Sequence, residues 1–342
     1  MISAKKNNFI VEYRPSAIRA ARISSETAPT VVEEVVEIDL AKDDSPAETI
    51  RKFARAKANA HMHASSSIYP EDRLVRQVML DAQRGKEVDF VMDFLRKSGG
   101  VNPETFSAYC LSAADGSEID LAAYNKKDIL VCGVSKQSVS DTQSLLLEHG
   151  IYPRRLELGT LGTIGALKDA IGTDAGRSPV LFLEIDKQST NAVIVGPRGV
   201  EMARRIDCGA NHIAQALKEE MSLKDEAAAE KILQSKDFDL GPIAPKLLRK
   251  LLRELQSSIG FFEVQTGSSV SELYCLKDGR FLPWLEASIC DLLNLVPFPL
   301  DLGVWLESKG VTFASEETKS QVDNTWISLF SLVLELGKDG ES

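Results

Sequence analysis

The chain has 342 residues, 44% of them hydrophobic and 26% charged, with a formal net charge of −10. That length and apolar content supply buried cores for two domains and exclude a disordered tail. The acidic balance, with no long stripe of Lys and Arg, excludes broad binding of nucleic acid through its phosphates.

Met1 to Asn8 carries Lys5 and Lys6, but Glu12 and Arg14 interrupt the following segment before a signal-peptide core can form, so no secretion is expected. Phe9 to Tyr13 and Ile18 to Ile23 predict two strands joined at Arg14-Pro15-Ser16, and the Val- and Ile-rich Thr30 to Leu40 predicts a third. Ser45-Pro46-Ala47-Glu48 opens a helix to about Ala58, with Ser45 as its N-cap. His61 to Ser65 is extended, and Leu74 to Leu80 predicts a strand. Glu87 to Lys97 has helical spacing, with Val88, Val91, Met92 and Leu95 on one stripe. Phe106 to Ser112 and Asp128 to Val134 read as strands, Val139 to His149 as a helix, and Leu156 to Ile171 as a segment with a Gly- and Thr-containing helix start.

The turn-rich link at 173–179 leads into a second meander: Val180 to Leu183, Asn191 to Val195 and Val200 to Ile206. Helices are expected from Asn211 to Leu233 and from Pro245 to Phe262, a strand from Leu273 to Leu276, and a final helix from Asn324 to Leu336. That last segment is too short to span a bilayer and contains Glu335. Five cysteines without Cys-x-x-Cys spacing read as reduced thiols in a cytoplasm. His61 and His63 would share a strand face, with no further His or Cys nearby to complete a zinc site.

From Val180 the order of segments resembles the type IV pilus assembly PilM family, a branch of the actin-like ATPase superfamily related to the division protein FtsA. The stretches that carry the resemblance are Arg204 to Ile213, Ser222 to Lys231, Leu252 to Phe262 and Val270 to Leu276. The first half matches mainly in element order. The resemblance implies an α/β, two-domain, ribonuclease H-like fold. Its first domain is 1–172, with a small inserted subdomain at about 73–150. The second domain is 173–318, and a C-terminal helix in 319–342 packs back on the first domain.

In active members, two turns with leading carboxylates organise Mg²⁺ and phosphates, and a Gly-rich loop receives the adenosine. The corresponding residues here are Glu12, Arg14 and Ser16 in the first turn, Glu184, Asp186, Lys187, Ser189 and Thr190 in the second, and Lys277 and Gly279 in the third loop. Arg14 and Asp186 stand where glycines are expected, and Pro15 removes an amide donor. Asp186 about 4 Å from a phosphate would cost on the order of 4 kcal/mol at an effective dielectric near 20. By itself Arg14 reads as a solvated turn residue, because an anion nest needs several amides.

The resemblance therefore implies a cytoplasmic adaptor without a nucleotide cofactor, held at the inner membrane through partners. Its partner is the cytoplasmic N-terminal tail of a PilN-like membrane protein, bound in the groove between the first domain and its insertion. Arg73 to Leu80 and Asp128 to Val134 are the expected walls. Other pilus components and a second copy of the chain are further partner expectations. Two other readings stand beside it: an ATPase or kinase using ATP and Mg²⁺ through Glu12, Glu184 and Ser189, and an FtsA-like filament former, for which Gly337 to Ser342 lacks a basic face.

Overall fold

Two antiparallel meanders, each extended by parallel strands, organise the chain. The computed structural model describes residues 8–56, 60–81, 85–124, 126–174, 176–235, 237–277 and 282–334. The strands are β1 (Asn8–Tyr13), β2 (Ala17–Ile23), β3 (Thr30–Asp39), β4 (Met62–Ile68), β5 (Leu74–Met79), β6 (Phe106–Ser112), β7 (Asp128–Ser135), β8 (Ile151–Leu158), β9 (Val180–Ile185), β10 (Thr190–Gly196), β11 (Gly199–Ile206), β12 (Glu272–Lys277), β13 (Val296–Pro297) and β14 (Val311–Phe313). The helices are α1 (Pro46–Ala54), α2 (Glu87–Lys97), α3 (Lys136–Glu148), α4 (Gly159–Ile171), α5 (Ala210–Glu220), α6 (Glu226–Gln234), α7 (Ala244–Leu247), α8 (Arg249–Thr266), α9 (Leu285–Leu293), α10 (Leu302–Ser308), α11 (Glu316–Ser320) and α12 (Ile327–Ser331).

The first lobe is built on a sheet of order β14-β3-β2-β1-β4-β8, the second on β11-β10-β9-β12-β13. In each, a meander is followed by strands parallel to its first member: β4 beside β1, and β12 beside β9. Every residue of β2, β9 and β10 is buried, the signature of strands covered on both faces. One face of the first sheet is covered by α1 and α3, where Leu146 packs with Ile50 and Ile151. The second sheet's outer face is covered by α5 to α9. Between the sheets lie α4 and α12, whose Leu167 and Phe330 share one apolar cluster with Ile10 of β1 and Phe182 of β9.

A third sheet, β5-β7-β6, with α2 on it, has its own small core around Leu95 and Ile129. It meets the second lobe, because β5 packs beside β11 and the Val200 amide donates to the Ala113 carbonyl at 2.7 Å. The chain enters and leaves this sheet at one point, where the Ser135 amide donates to Asp72 at 3.1 Å. Ser135 also caps α3, its hydroxyl accepting from the Ser138 amide.

Several local expectations shift. The first helix stops at Ala54, because Arg55 adopts a left-handed C-cap at φ 54. Ile151 to Leu158 forms β8, where no strand is expected, and Val311 to Phe313 forms β14, parallel to β3. The helix expected over Asn211 to Leu233 is broken into α5 and α6, with Ser222 at φ 50 between them. The final helix is shorter than expected: a 3₁₀ turn at Asn324–Trp326 leads into α12.

Candidate functional site: the cleft between the lobes

The equivalent strand order puts Glu12 and Glu184 in equivalent places, each the penultimate residue of its meander's first strand. Two-residue turns follow both. Arg14 and Ala17 exchange backbone hydrogen bonds around Pro15-Ser16, and the Asp186 amide donates to the Ser189 carbonyl around Lys187-Gln188. Gly209 permits the second turn to close: a Cβ there would run into the Asp186 carbonyl and the Ser189 amide.

Arg14 corrects the expectation of a solvated turn residue. Its guanidinium donates to Glu12 Oε1 at 3.0 Å and lies 3.7 Å from the centre of the Tyr69 ring, and the residue is 8% exposed. Glu12 is fully buried and also accepts from the Tyr69 hydroxyl at 2.8 Å, from the Ser328 hydroxyl and from Arg19 at 3.4 Å. Burial alone would raise its carboxyl, but Arg14, Arg19 and Ser328 outweigh that and hold it below the usual carboxylate range. Burial pushes the Tyr69 phenol well up, so it remains a donor.

Glu184 is held by Arg73. The Arg73 side chain donates to Glu184 Oε2 at 2.7 Å, Asp186 Oδ2 at 2.6 Å, Thr160 Oγ1 at 2.8 Å and the Pro70 carbonyl at 2.9 Å. The Thr160 hydroxyl in turn donates a hydrogen bond to Glu184 Oε2 at 2.6 Å, and Asn191 donates to the same oxygen at 3.2 Å. Burial works against the charged form of Glu184, and Arg73 and Arg14 reverse it, so its carboxyl is lowered. Asp186, sharing the same guanidinium nitrogen, moves the other way. Burial raises it, Arg73 only partly offsets this, and the Glu184 charge adds to the rise, so that it is pushed up to about 6.

Arg14, Ser16, Asp186 and Lys187 thus line a cavity of about 240 Å³ together with Tyr69, Asn211 and Glu230, while Glu12 and Glu184 lie buried outside its lining, bonded to Arg14 and Arg73. Ser16 Oγ lies buried without a hydrogen-bond partner among the described residues. Ser189 is buried at the turn, and Thr190 points into the second lobe, its hydroxyl donating to the Cys208 carbonyl at 2.6 Å. Lys277 ends β12 by its backbone, and Gly279 lies outside the described residues. Sequence reasoning missed Arg73, Tyr69, Thr160, Asn191, Arg19 and Ser328. One signal was present: Arg19 and Arg22 interrupt an otherwise apolar strand, and a buried arginine demands a carboxylate, which Arg19 finds in Glu12 and Arg22 in Glu34. His63, read as an ordinary strand residue, lies on β4 with its ring 4.8 Å from that of Tyr152.

A second cavity, about 660 Å³, runs between α4 and the small sheet. Leu111, Ala113, Asp115 and Gly116 border it on one side, and Arg155, Glu157, Leu161, Ile164 and Lys168 on the other, with Val200 and Leu334 at its margin. Of the two strands expected as groove walls only Leu130 reaches it, because β5 faces β11 instead.

The two lobes with a shared cleft have the two-domain actin-like ATPase fold that the sequence resemblance implies. More particularly, the chain is similar to a chain of the PilM-PilN type IV pilus biogenesis complex, at 17% identity and a TM-score of 0.64 over 96% of this chain and 98% of that one. The resemblance to PilM read in the sequence holds at the level of fold. Lower similarity links it to a protein of actin-like ATPase fold from Bacteroides thetaiotaomicron, at 9% identity and a TM-score of 0.41 over 86% and 93% of the two chains. The cytoplasmic domain of EpsL from the type II secretion system of Vibrio cholerae matches at 11% identity and a TM-score of 0.37, over 63% and 74%. No protein-family model and no curated protein matches the chain.

Proposed function

We propose that the chain is an adaptor of a type IV pilus or type II secretion-like assembly platform, and that it holds the cytoplasmic N-terminal tail of a PilN-like membrane protein. The groove between α4 and the small sheet carries this reading. It has a volume of about 660 Å³ and offers apolar walls at Leu111, Leu161 and Ile164 beside charged groups at Arg155 and Glu157, the mix an extended peptide needs. A solved structure sharing the fold over 96% of the chain is itself a PilM-PilN complex. No helix among the described residues is long and apolar enough to cross a membrane. In this reading the partner supplies the anchor, and the chain sits at the cytoplasmic face of the inner membrane.

The same reading assigns no catalysis to the cleft, whose residues do not fit a magnesium–nucleotide complex. The carboxylates that would order the metal are already bonded to guanidinium groups, and Arg14 fills the place of a phosphate-approaching glycine. The division at 1–172, 173–318 and 319–342 belongs to this proposal, with the insertion narrowed to about 73–135 because α3 packs on β8.

The test is a fluorescence-anisotropy titration with a labelled peptide of the N-terminal tail of a single-span protein encoded beside this gene. Saturable binding that Leu161→Arg abolishes, with the melting temperature retained, is the expected result. No binding, or binding indifferent to that substitution, would sink the assignment.

A further inference from the structure

The turn Pro70 to Arg73 is a joint at which all three sheets meet. Its Arg73 amide donates to the Pro70 carbonyl at 3.2 Å, and its Asp72 carboxylate accepts from Ser135 at the exit of the small sheet. The Glu71 carbonyl accepts from Arg205 of the second lobe at 2.8 Å. Arg73 itself reaches Thr160, at the start of α4 in the first lobe, and Glu184 and Asp186 in the second. Its side chain and that of Glu184 are each 1% exposed. A guanidinium so placed uses its planar fork to satisfy several acceptors at once, which an ammonium or a water cannot do from one position.

Each of three cleft carboxylates, Glu12, Glu184 and Asp186, is also already paired with a guanidinium of the chain's own, from Arg14, Arg19 or Arg73. In fold relatives that work on nucleotides, a metal and phosphates provide the charge that the cleft carboxylates organise. We propose that Arg73 is a built-in cationic latch, replacing that bound cation and holding the lobes and the small sheet together without any ligand. The role goes beyond the adaptor reading, since it stands whichever tail fills the groove. Removing the guanidinium takes from the buried Glu184 and the half-buried Asp186 the donor they share, and unties both from Thr160 and the Pro70 carbonyl, so the joint opens.

Arg73→Ala, studied by amide hydrogen exchange at neutral pH, tests the latch. Exchange in 70–74 and 184–190 is expected to rise roughly tenfold or more, while the outer core of the second lobe around α5 and α8 stays protected. Low-millimolar guanidinium chloride should restore protection in the variant by refilling the vacated place, leave the wild type unchanged, and not be matched by equal sodium chloride. Unchanged exchange, or equal rescue by sodium, overturns the proposal. Should Arg73→Ala not fold, Glu184→Gln decides the matter. It keeps shape and weakens the hold on the guanidinium, so exchange in the same segments should rise several-fold, and no rise overturns the latch.

Discussion

Glu12 of β1 and Glu184 of β9 are structural counterparts, each buried beneath a cleft turn and each ionised against an arginine. The arginines are not counterparts: Arg14 lies two residues from its carboxylate, and Arg73 lies 111 residues from its own. The two halves of the cleft paired their acids by different routes, which makes their contributions separable by mutation.

Arg14→Ala leaves Glu12 with the more distant Arg19 and two hydroxyl donors. Stripping one partner from a buried pair costs about 3 kcal/mol, and urea unfolding should show it as a lowered midpoint with an unchanged slope. Arg14→Lys should recover only part of this, since an ammonium does not reproduce the guanidinium's stacking over Tyr69. Full recovery would argue that charge alone matters there.

The raised Asp186 carboxyl has a defined pH signature. Its value in the folded protein is about 6, against an ordinary 3.8, so between those values the folded state binds more protons than the unfolded one. Its contribution to stability therefore falls as pH rises through that window and levels off above about 6. Asp186→Asn removes the effect. The stability of the wild type relative to this variant should decline from about pH 4 to pH 6 in paired urea titrations, and parallel curves would refute the assignment.

A ligand that binds only the folded state must raise its melting temperature by mass action. Thermal denaturation with Mg-ATP up to millimolar concentration should show no shift in the wild type, because Arg14 and Arg73 already occupy the cleft carboxylates. A saturable shift that Glu184→Ala removes would show instead that the cleft still holds nucleotide.

The α12 segment is expected to matter out of proportion to its length. Phe330 is fully buried between the sheets, edge-on to Phe313 at 6.0 Å and stacked with Trp326 at 6.4 Å. Phe330→Ala should cost about 3–5 kcal/mol, read as the drop in unfolding free energy in urea. A loss below about 1 kcal/mol would mean that α12 frays from the cleft floor in solution.

Much of the architecture was legible because the signals that specify it are local. Apolar runs mark β1 to β3 and β9 to β11, Gly196-Pro197-Arg198-Gly199 marks the turn between β10 and β11, and the carboxylates at Glu12 and Glu184 stand at recognisable turns. β8 escaped because Tyr152-Pro153-Arg154-Arg155 breaks the expected strand pattern. Only pairing with β4 makes that segment extended.

What the sequence by itself determined was the pair of meanders, the order of their elements and the placing of an acid at each cleft turn, since these follow from backbone preferences acting over a few residues. The identity of each acid's partner was decided only by the tertiary structure. Tyr69 and Arg73 come from the connection between β4 and β5, Thr160 from α4 and Ser328 from α12, and they meet because the lobes close on α4 and α12. Ion pairing depends on what shields the charges from water, and whether Arg14 is solvated or buried is settled by elements distant from it in the chain.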